Sequence, residues 1–342
     1  VARRIGVSHV AGVHDDRVTL KPWNVTHTSQ IKRIGHERRI YVLNHITAGS
    51  KFGVNQSNLK TLEACVMGRL FYMYKNGEYL KPLPYRGNKK FEHKFMVLKY
   101  KLGRGSTMRS HRDVVDSYRG RKHSLYQNAM SSLELSPLVR ADGYSKFFMK
   151  FEKIDITKVP RCIQPRSTRY HLELAAYLKH EEHRVYKAFE RIFGYDVVAK
   201  HKNIYDVATM FTDARDAFSD PVYVGLDAAK FDMHVTEQVL RLEHSVYLHM
   251  YQNDPHLRKL LSWQIDNQGS AAVADGSLKF RIKGTRFSGD INTSLGNVII
   301  MVNLIAGYCD GRFNYRIINN GDDAFIVCER KDLSKIDGFV DY

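Results

Sequence analysis

Residues Tyr315–Glu329 read YRIINNGDDAFIVCE and set two adjacent aspartates, Asp322 and Asp323, between two apolar runs. Ile317 and Ile318 on one side and Ala324 to Val327 on the other read as short strands, and Asn320-Gly321 between them is a strong hairpin signal. The aspartates are therefore expected at or beside a tight turn. Neighbouring carboxylates repel unless solvent or a divalent cation neutralises them, and hard oxygen donors of this kind suit Mg²⁺. Taken alone, the triplet reads first as a solvated hairpin turn. Its meaning depends on what the rest of the chain brings to it.

Upstream, Pro221 to Leu226 (PVYVGL) reads as a short buried strand ending at Asp227, and Asp232 follows at the start of the next helix. A carboxylate at a strand end is held rigidly at the sheet edge, as a metal ligand should be, whereas Asp232 could equally cap its helix or complement the dipole. If this strand pairs with the hairpin, Asp227, Asp322 and Asp323 converge. That is the minimum set for two divalent ions serving an in-line phosphoryl transfer. Between the acidic motifs lies RFSGDINTSLGN, Arg286 to Asn297, in which Ser288-Gly289 opens a loop and Thr293 and Asn297 share a helix face. Such a row of hydroxyls and an amide can read a ribose, whose 2′-hydroxyl both donates and accepts, although an N-capped helix with a buried Asn is the plainer alternative.

A fourth stretch, Phe147 to Tyr170, crowds Lys150, Lys153, Lys158, Arg161, Arg166 and Arg169 into a segment that Pro160 and Pro165 keep extended. It fits a basic strand lining a triphosphate channel, or a nonspecific polyanion contact. The whole chain agrees with a polyanionic partner. Its 53 Lys and Arg against 36 Asp and Glu give +17 over 342 residues, and nucleic acid is the expected ligand because each neutralised phosphate releases counterions. With 43 % hydrophobic residues and 11 % aromatics the chain is a folded globular protein with a sizeable core.

Four dispersed cysteines, Cys65, Cys162, Cys309 and Cys328, form no Cys-x-x-Cys pair, so neither a zinc ribbon nor a disulfide framework is indicated and a reducing compartment fits. The sixteen histidines show no metal-ligand spacing. No apolar run is long enough to span a membrane; Leu295 to Tyr308 is too short and contains Asn297, Asn303 and Gly307. Along the second half, Leu59 to Tyr74 aside, the periodicity predicts helices over Leu172 to Phe193, over Val235 to Gln252, and through Leu295, Val298, Val302 and Ile305. Strand, helix, loop, helix and hairpin together predict an α+β layer with helices on one face of an antiparallel sheet.

The order of a basic segment, D-x4-D, S-G-x3-T-x3-N and G-D-D resembles motifs F, A, B and C of viral RNA-dependent RNA polymerases. The longer stretches FSDPVYVGLDAAKFDMHV, LEHSVY, RFSGDINTSLGN, NNGDD and RCIQPRSTRY, with SYRGRKHSLYQNA and FGVNQSNL before them, resemble the polymerases of tombusviruses and their relatives, which are positive-strand RNA viruses. The likeness runs from about Phe52 to Glu329. It implies a right-hand fold, with an N-terminal extension and fingers in 1–170 and a palm with an interleaved fingers segment in 171–342.

The resemblance further implies Asp227 and Asp322 as principal ligands of two Mg²⁺ ions, which Mn²⁺ can replace, with Asp323 in support. Asp232 and Asn297, helped by Ser288 and Thr293, would select the ribose, and Lys150, Lys153, Arg161 and Arg166 would meet the triphosphate. Implied partners are an RNA template and product, ribonucleoside triphosphates, and other viral replication proteins on host membranes in the cytoplasm. The first residue is Val1 and few residues follow Glu329, so the thumb, the later palm motifs and the membrane anchor are expected outside this chain. Lys230 and Met233 replace the Arg and Gln associated with tombusviruses, which points to a distant relative. Two rivals stay open at this level. A reverse transcriptase shares paired aspartates but usually blocks the 2′ position with bulk, and a noncatalytic RNA-binding module would tolerate Asp322→Asn.

Overall fold

The computed structural model describes residues 7–11, 25–28, 39–43, 52–75, 78–155, 158–339 and 341–342; most of the N-terminal extension expected from the sequence lies outside them. The strands that frame the site are β1 (Pro221–Asp227), β2 (Asp266–Val273), β3 (Gly276–Lys283), β4 (Tyr315–Asn320) and β5 (Asp323–Glu329). The helices around them are α1 (Lys89–Leu102), α2 (Thr168–Leu178), α3 (Glu182–Phe193), α4 (Glu237–Met250) and α5 (Thr293–Cys309). Helix and sheet are mixed along the chain, as the sequence predicts.

β1, β5 and β4 form a three-stranded antiparallel sheet with β5 in the centre. Asn320 and Asp323 are register partners, so the turn consists of Gly321 and Asp322, one residue later than the Asn320-Gly321 pair suggests. Asn319 explains the shift. Its fully buried side chain accepts from the Gly321 N–H at 3.0 Å and donates to the Gly321 carbonyl at 2.8 Å, which fixes the residues beyond it as the bend. Gly321 has φ +90° while Asp322 is not left-handed, the pattern of a turn needing glycine only at its first central position.

Consecutive residues Ile317 and Ile318 are both buried, at 0 % and 4 % exposure, because the sheet is covered on both faces. Ile317 and Ile326 join the large core made with α1, α3, α4 and α5, while Ile318 and Val327 pack with Met210 and Ala214 of the helix Ile204–Asp216. The expectation of helices on one face only is thus corrected. The continuous apolar runs of the two hairpin strands are what two-sided burial produces.

α5 likewise buries nearly its whole length and not one stripe, because α1, α4 and β4 surround it. The helix expected over Leu172 to Phe193 is two helices, α2 and α3, joined by a tight turn at Lys179–Glu181. That expected from Leu59 to Tyr74 is α-helical over Leu59–Val66 and widens to a π turn over Met67–Phe71. β2 and β3 belong to a separate four-stranded sheet completed by Val25–Thr28 and Ser145–Lys146. It shares a second core, including Phe147, Cys162, Leu278, Phe280 and Phe287, with the helix Leu59–Val66.

Candidate active site

The end of the three-stranded sheet gathers the acidic residues. Asp227, the last residue of β1, is the register partner of Asp323, the first of β5, and Asp322 occupies the turn beside them. All three are exposed. Partial desolvation and then the charges of Asp322 and Asp227 push the Asp323 carboxyl above the ordinary carboxylate range, against the opposing pull of Lys200. Lys200 is a neighbour that periodicity could not reveal. Residues Val197 to Ala199 run beside Asn319, with Asn319 N–H donating to the Val197 carbonyl and Ala199 N–H to the Asn319 carbonyl, both at 2.8 Å. This places the Lys200 ammonium 3.4 Å from where a Cβ on Gly321 would stand.

Among the described residues no three His, Cys, Asp or Glu side chains come together closely enough to hold a metal ion by themselves. The donor set fits a hard divalent cation nonetheless, since one or two carboxylates suffice where phosphate oxygens and waters complete the shell.

Next to the acidic turn, Asn297 Nδ2 donates to Asp232 Oδ1 at 3.3 Å. Asn297 is 4 % exposed and its Oδ1 is buried without a hydrogen-bond partner among the described residues. Burial raises the Asp232 carboxyl, Asp322 and Asp290 add to the rise, and Arg286 and the Asn297 amide oppose it. The helix Phe231–His234 that carries Asp232 follows Lys230, whose left-handed backbone (φ 57°) turns the chain out of β1. Thr293 Oγ1 donates to the Phe287 carbonyl at 2.7 Å, closing the loop onto the start of α5.

Residues 288–290 are stapled to residues 164–166. Gln164 Oε1 accepts from the Ser288 hydroxyl at 2.7 Å and from its N–H at 3.2 Å. A Cβ on Gly289 would lie 2.6 Å from the Gln164 carbonyl carbon and the Pro165 nitrogen, so glycine is what lets the two backbones meet. Arg166 then pairs with Asp290 through Nε and Nη2.

Arg166 also donates through Nη1 to the Gly143 and Trp263 carbonyls and through Nη2 to Asn267 Oδ1. All five guanidinium N–H groups are thereby engaged. The expectation that Arg166 meets a triphosphate is corrected for this structure, since its side chain is 0 % exposed and has no donor to offer.

Lys150 and Arg161 do face solvent. They flank the small ladder of Phe148–Met149 with Cys162–Ile163, and both contact Glu152, Lys150 at 2.9 Å and Arg161 through two bonds at 2.6 and 2.7 Å. Lys153 is exposed on a different strand, Lys153–Asp155, paired to Phe52–Asn55. Arg69 was not singled out by sequence. It donates to the Val159 carbonyl at 3.1 Å, and its charge is felt by Lys230, so a positive path runs from the basic segment toward the Asp227–Asp232 loop.

Beneath the loop lies a buried polar network. Arg286 pairs with Glu243, whose carboxylate also accepts from Tyr247 Oη at 2.7 Å and Asn292 Nδ2 at 3.1 Å. Gln264 links Asn292 to His244 at 2.7 and 3.2 Å. The signal for it was present in the sequence as a charged residue, Glu243, on the apolar face between Val239 and Val246.

Residues 25–342 match the family described as viral RNA dependent RNA polymerase. The chain is 38 % identical over 306 residues to the RNA-directed RNA polymerase of Carnation mottle virus, covering 88 % of the chain and 40 % of that relative. Similar values hold for the enzymes named RNA-directed RNA polymerase of Tobacco necrosis virus (strain A), at 38 % over 84 % of the chain and 41 % of the relative, and Tomato bushy stunt virus (strain Cherry), at 35 % over 88 % and 37 %. The chain thus spans about two fifths of the length of these relatives. Its four motifs fall in the expected order and the match runs through all of them, so the chain belongs to the viral RNA-dependent RNA polymerase family.

Proposed function

We propose that this chain carries the catalytic centre of an RNA-directed RNA polymerase that replicates a positive-strand RNA genome, with an N-terminal extension and fingers in 1–170 and a palm with an interleaved fingers segment, the β2–β3 hairpin, in 171–342. The observation that carries the reading is the register pairing of Asp227 with Asp323 beside Asp322, close enough to the hydrogen-bonded Asp232–Asn297 pair for the charge of Asp322 to act on Asp232. Asp227 and Asp322 would hold two Mg²⁺ ions, or Mn²⁺ in their place, with Asp323 supporting. When bound, such ions lower the pKa of an attacking 3′-hydroxyl and neutralise charge on the leaving pyrophosphate.

The remaining work belongs to the chain. Lys150, Lys153 and Arg161 meet the triphosphate, Lys150 and Arg161 exchanging Glu152 for phosphate oxygens. Asn297 and Asp232, with Ser288 and the Thr293 loop closure, orient the ribose, and the unpartnered Asn297 Oδ1 gains a hydrogen bond when a 2′-hydroxyl arrives. The template chooses the base by pairing, so the protein supplies position and charge. RNA and ribonucleoside triphosphates are its ligands, and other viral replication proteins and host cytoplasmic membranes its surroundings. No helix among the described residues is long and apolar enough to cross a membrane itself.

The test is template-directed incorporation of labelled ribonucleotides with Mg²⁺ by the full natural polypeptide that contains this chain. Asp322→Asn is expected to lower incorporation by about a thousandfold or more, through loss of a ligand to the ions, while RNA binding persists. Incorporation that survives the substitution would refute the assignment.

A further inference from the structure

Gln164 is 3 % exposed and lies outside the acidic and ribose-facing positions, yet its amide is fully committed. Nε2 donates to the Cys162 carbonyl at 3.2 Å and contacts Cys162 Sγ at 3.0 Å, while Oε1 receives both the N–H and the hydroxyl of Ser288. The orientation is fixed by chemistry, because the reversed amide would turn an NH₂ toward the Ser288 N–H. The other acceptor within reach of Ser288 Oγ, the carbonyl of buried Cys162 at 3.5 Å, is much farther than Gln164 Oε1 and also belongs to the protein. The single hydroxyl hydrogen of Ser288 therefore points into the protein, and toward any ligand Oγ offers only lone pairs.

Asn297 adds to this. Its Nδ2 is given to Asp232, which leaves Oδ1 as the atom without a partner. Ser288 and Asn297 belong to one unit, closed by Thr293 Oγ1 on the Phe287 carbonyl and by Arg286 N–H on the Asp232 carbonyl at 3.0 Å. We infer that Gln164 is a positioning residue that locks Ser288 as an acceptor, so that the ribose site takes a 2′ substituent able to donate and rejects 2′-hydrogen, 2′-fluoro and 2′-O-methyl nucleotides alike. This rests on the polymerase reading above.

The experiment compares kcat/KM for ATP, 2′-deoxy-ATP and 2′-fluoro-2′-deoxy-ATP in the full natural polypeptide, with Gln164→Met, Ser288→Ala, their double mutant, and Asp322→Asn as control. Gln164→Met removes the 2.7 Å acceptor and leaves the Ser288 hydroxyl only the Cys162 carbonyl at 3.5 Å, so the hydroxyl can turn to donate to fluorine and the ATP preference over the fluoro analogue is expected to fall about tenfold, the worth of one neutral hydrogen bond. Ser288→Ala should lower the same ratio, and the double mutant should fall no further, because Gln164 acts through Ser288. A ratio unchanged in Gln164→Met, or additive losses in the double mutant, overturns the inference while leaving the polymerase reading intact. Absence of incorporation by the unmutated protein, or its persistence in Asp322→Asn, overturns both. Should Gln164→Met fail to fold, Gln164→Glu, which keeps the acceptor, is expected to retain the ratio, and loss of the ratio there overturns the inference.

Discussion

Arg166 and Asp290 form a buried, two-point ion pair, with side chains 0 % and 3 % exposed, that joins the basic segment to the loop in front of α5. The guanidinium also lies over the rings of Tyr170 and Phe287, at 5.4 and 5.0 Å. Every donor is satisfied, so the pair holds two segments 124 residues apart in one geometry.

Removing one partner strands the other charge in the core. Arg166→Met or Asp290→Asn is therefore expected to cost about 3–5 kcal/mol of folding stability. Replacing both together should cost clearly less than the sum. Denaturant titration of the three variants measures this, and simple additivity would show that the two groups are not coupled.

Gly289→Ala tests the same staple without touching a charge. The added Cβ would lie 2.6 Å from backbone atoms of Gln164 and Pro165, which cannot rotate away as a side chain could. About 1–3 kcal/mol of destabilisation is expected from such overpacking. A thermal melt reads the stability loss, and a parallel ATP to 2′-deoxy-ATP comparison should show weaker discrimination because Ser288 moves with the loop.

Asp323 is penalised for being charged. Its carboxyl titrates above the ordinary range in the folded state, first through desolvation and then through Asp322 and Asp227. The folded state therefore binds its proton more tightly than the unfolded chain does, and the contribution to stability, present at low pH, is lost as pH rises through the folded value. Asp323→Asn should raise the melting temperature at pH 7 and leave it nearly unchanged at pH 3. A melting temperature that falls at pH 7 would count against repulsion in this turn.

Two histidines, buried His244 and half-buried His171, set an opposite slope. Burial lowers both His171 and His244 from the ordinary 6.5 to about 4. Because the folded state keeps them neutral, their contribution is complete above pH 6.5 and is lost as pH falls toward 4, on the order of 3 kcal/mol each. His244 Nε2 meets Gln264 Oε1, so the neutral ring carries its proton there. His244→Gln should flatten the decline of stability between pH 6.5 and 4, and an unchanged slope in denaturant titrations across that window would assign the acid sensitivity elsewhere.

Much of this protein was written in local sequence. The strand ending at Asp227, the hairpin around Asp322 and Asp323, and the helix from Thr293 through Asn297 follow from strand-forming runs, a turn dipeptide and a 3.6-residue period, all of which act between near neighbours. The pairing of β1 with the hairpin stood in the sequence only as the condition for the aspartates to converge, and the register of Asp227 with Asp323 meets it. Tertiary structure decided the rest. Arg166 and Arg161 are alike in a list of basic residues, yet Asp290 and three carbonyl or amide oxygens draw one into the core while Glu152 leaves the other at the surface. Gln164, Lys200 and Arg69 acquire their neighbours only when distant segments meet, and a residue's periodicity carries no information about a partner a hundred positions away. The turn itself shows the same division. Asn320-Gly321 announced a bend, but the buried Asn319 side chain, bonded to the backbone of Gly321, chose which two residues make it.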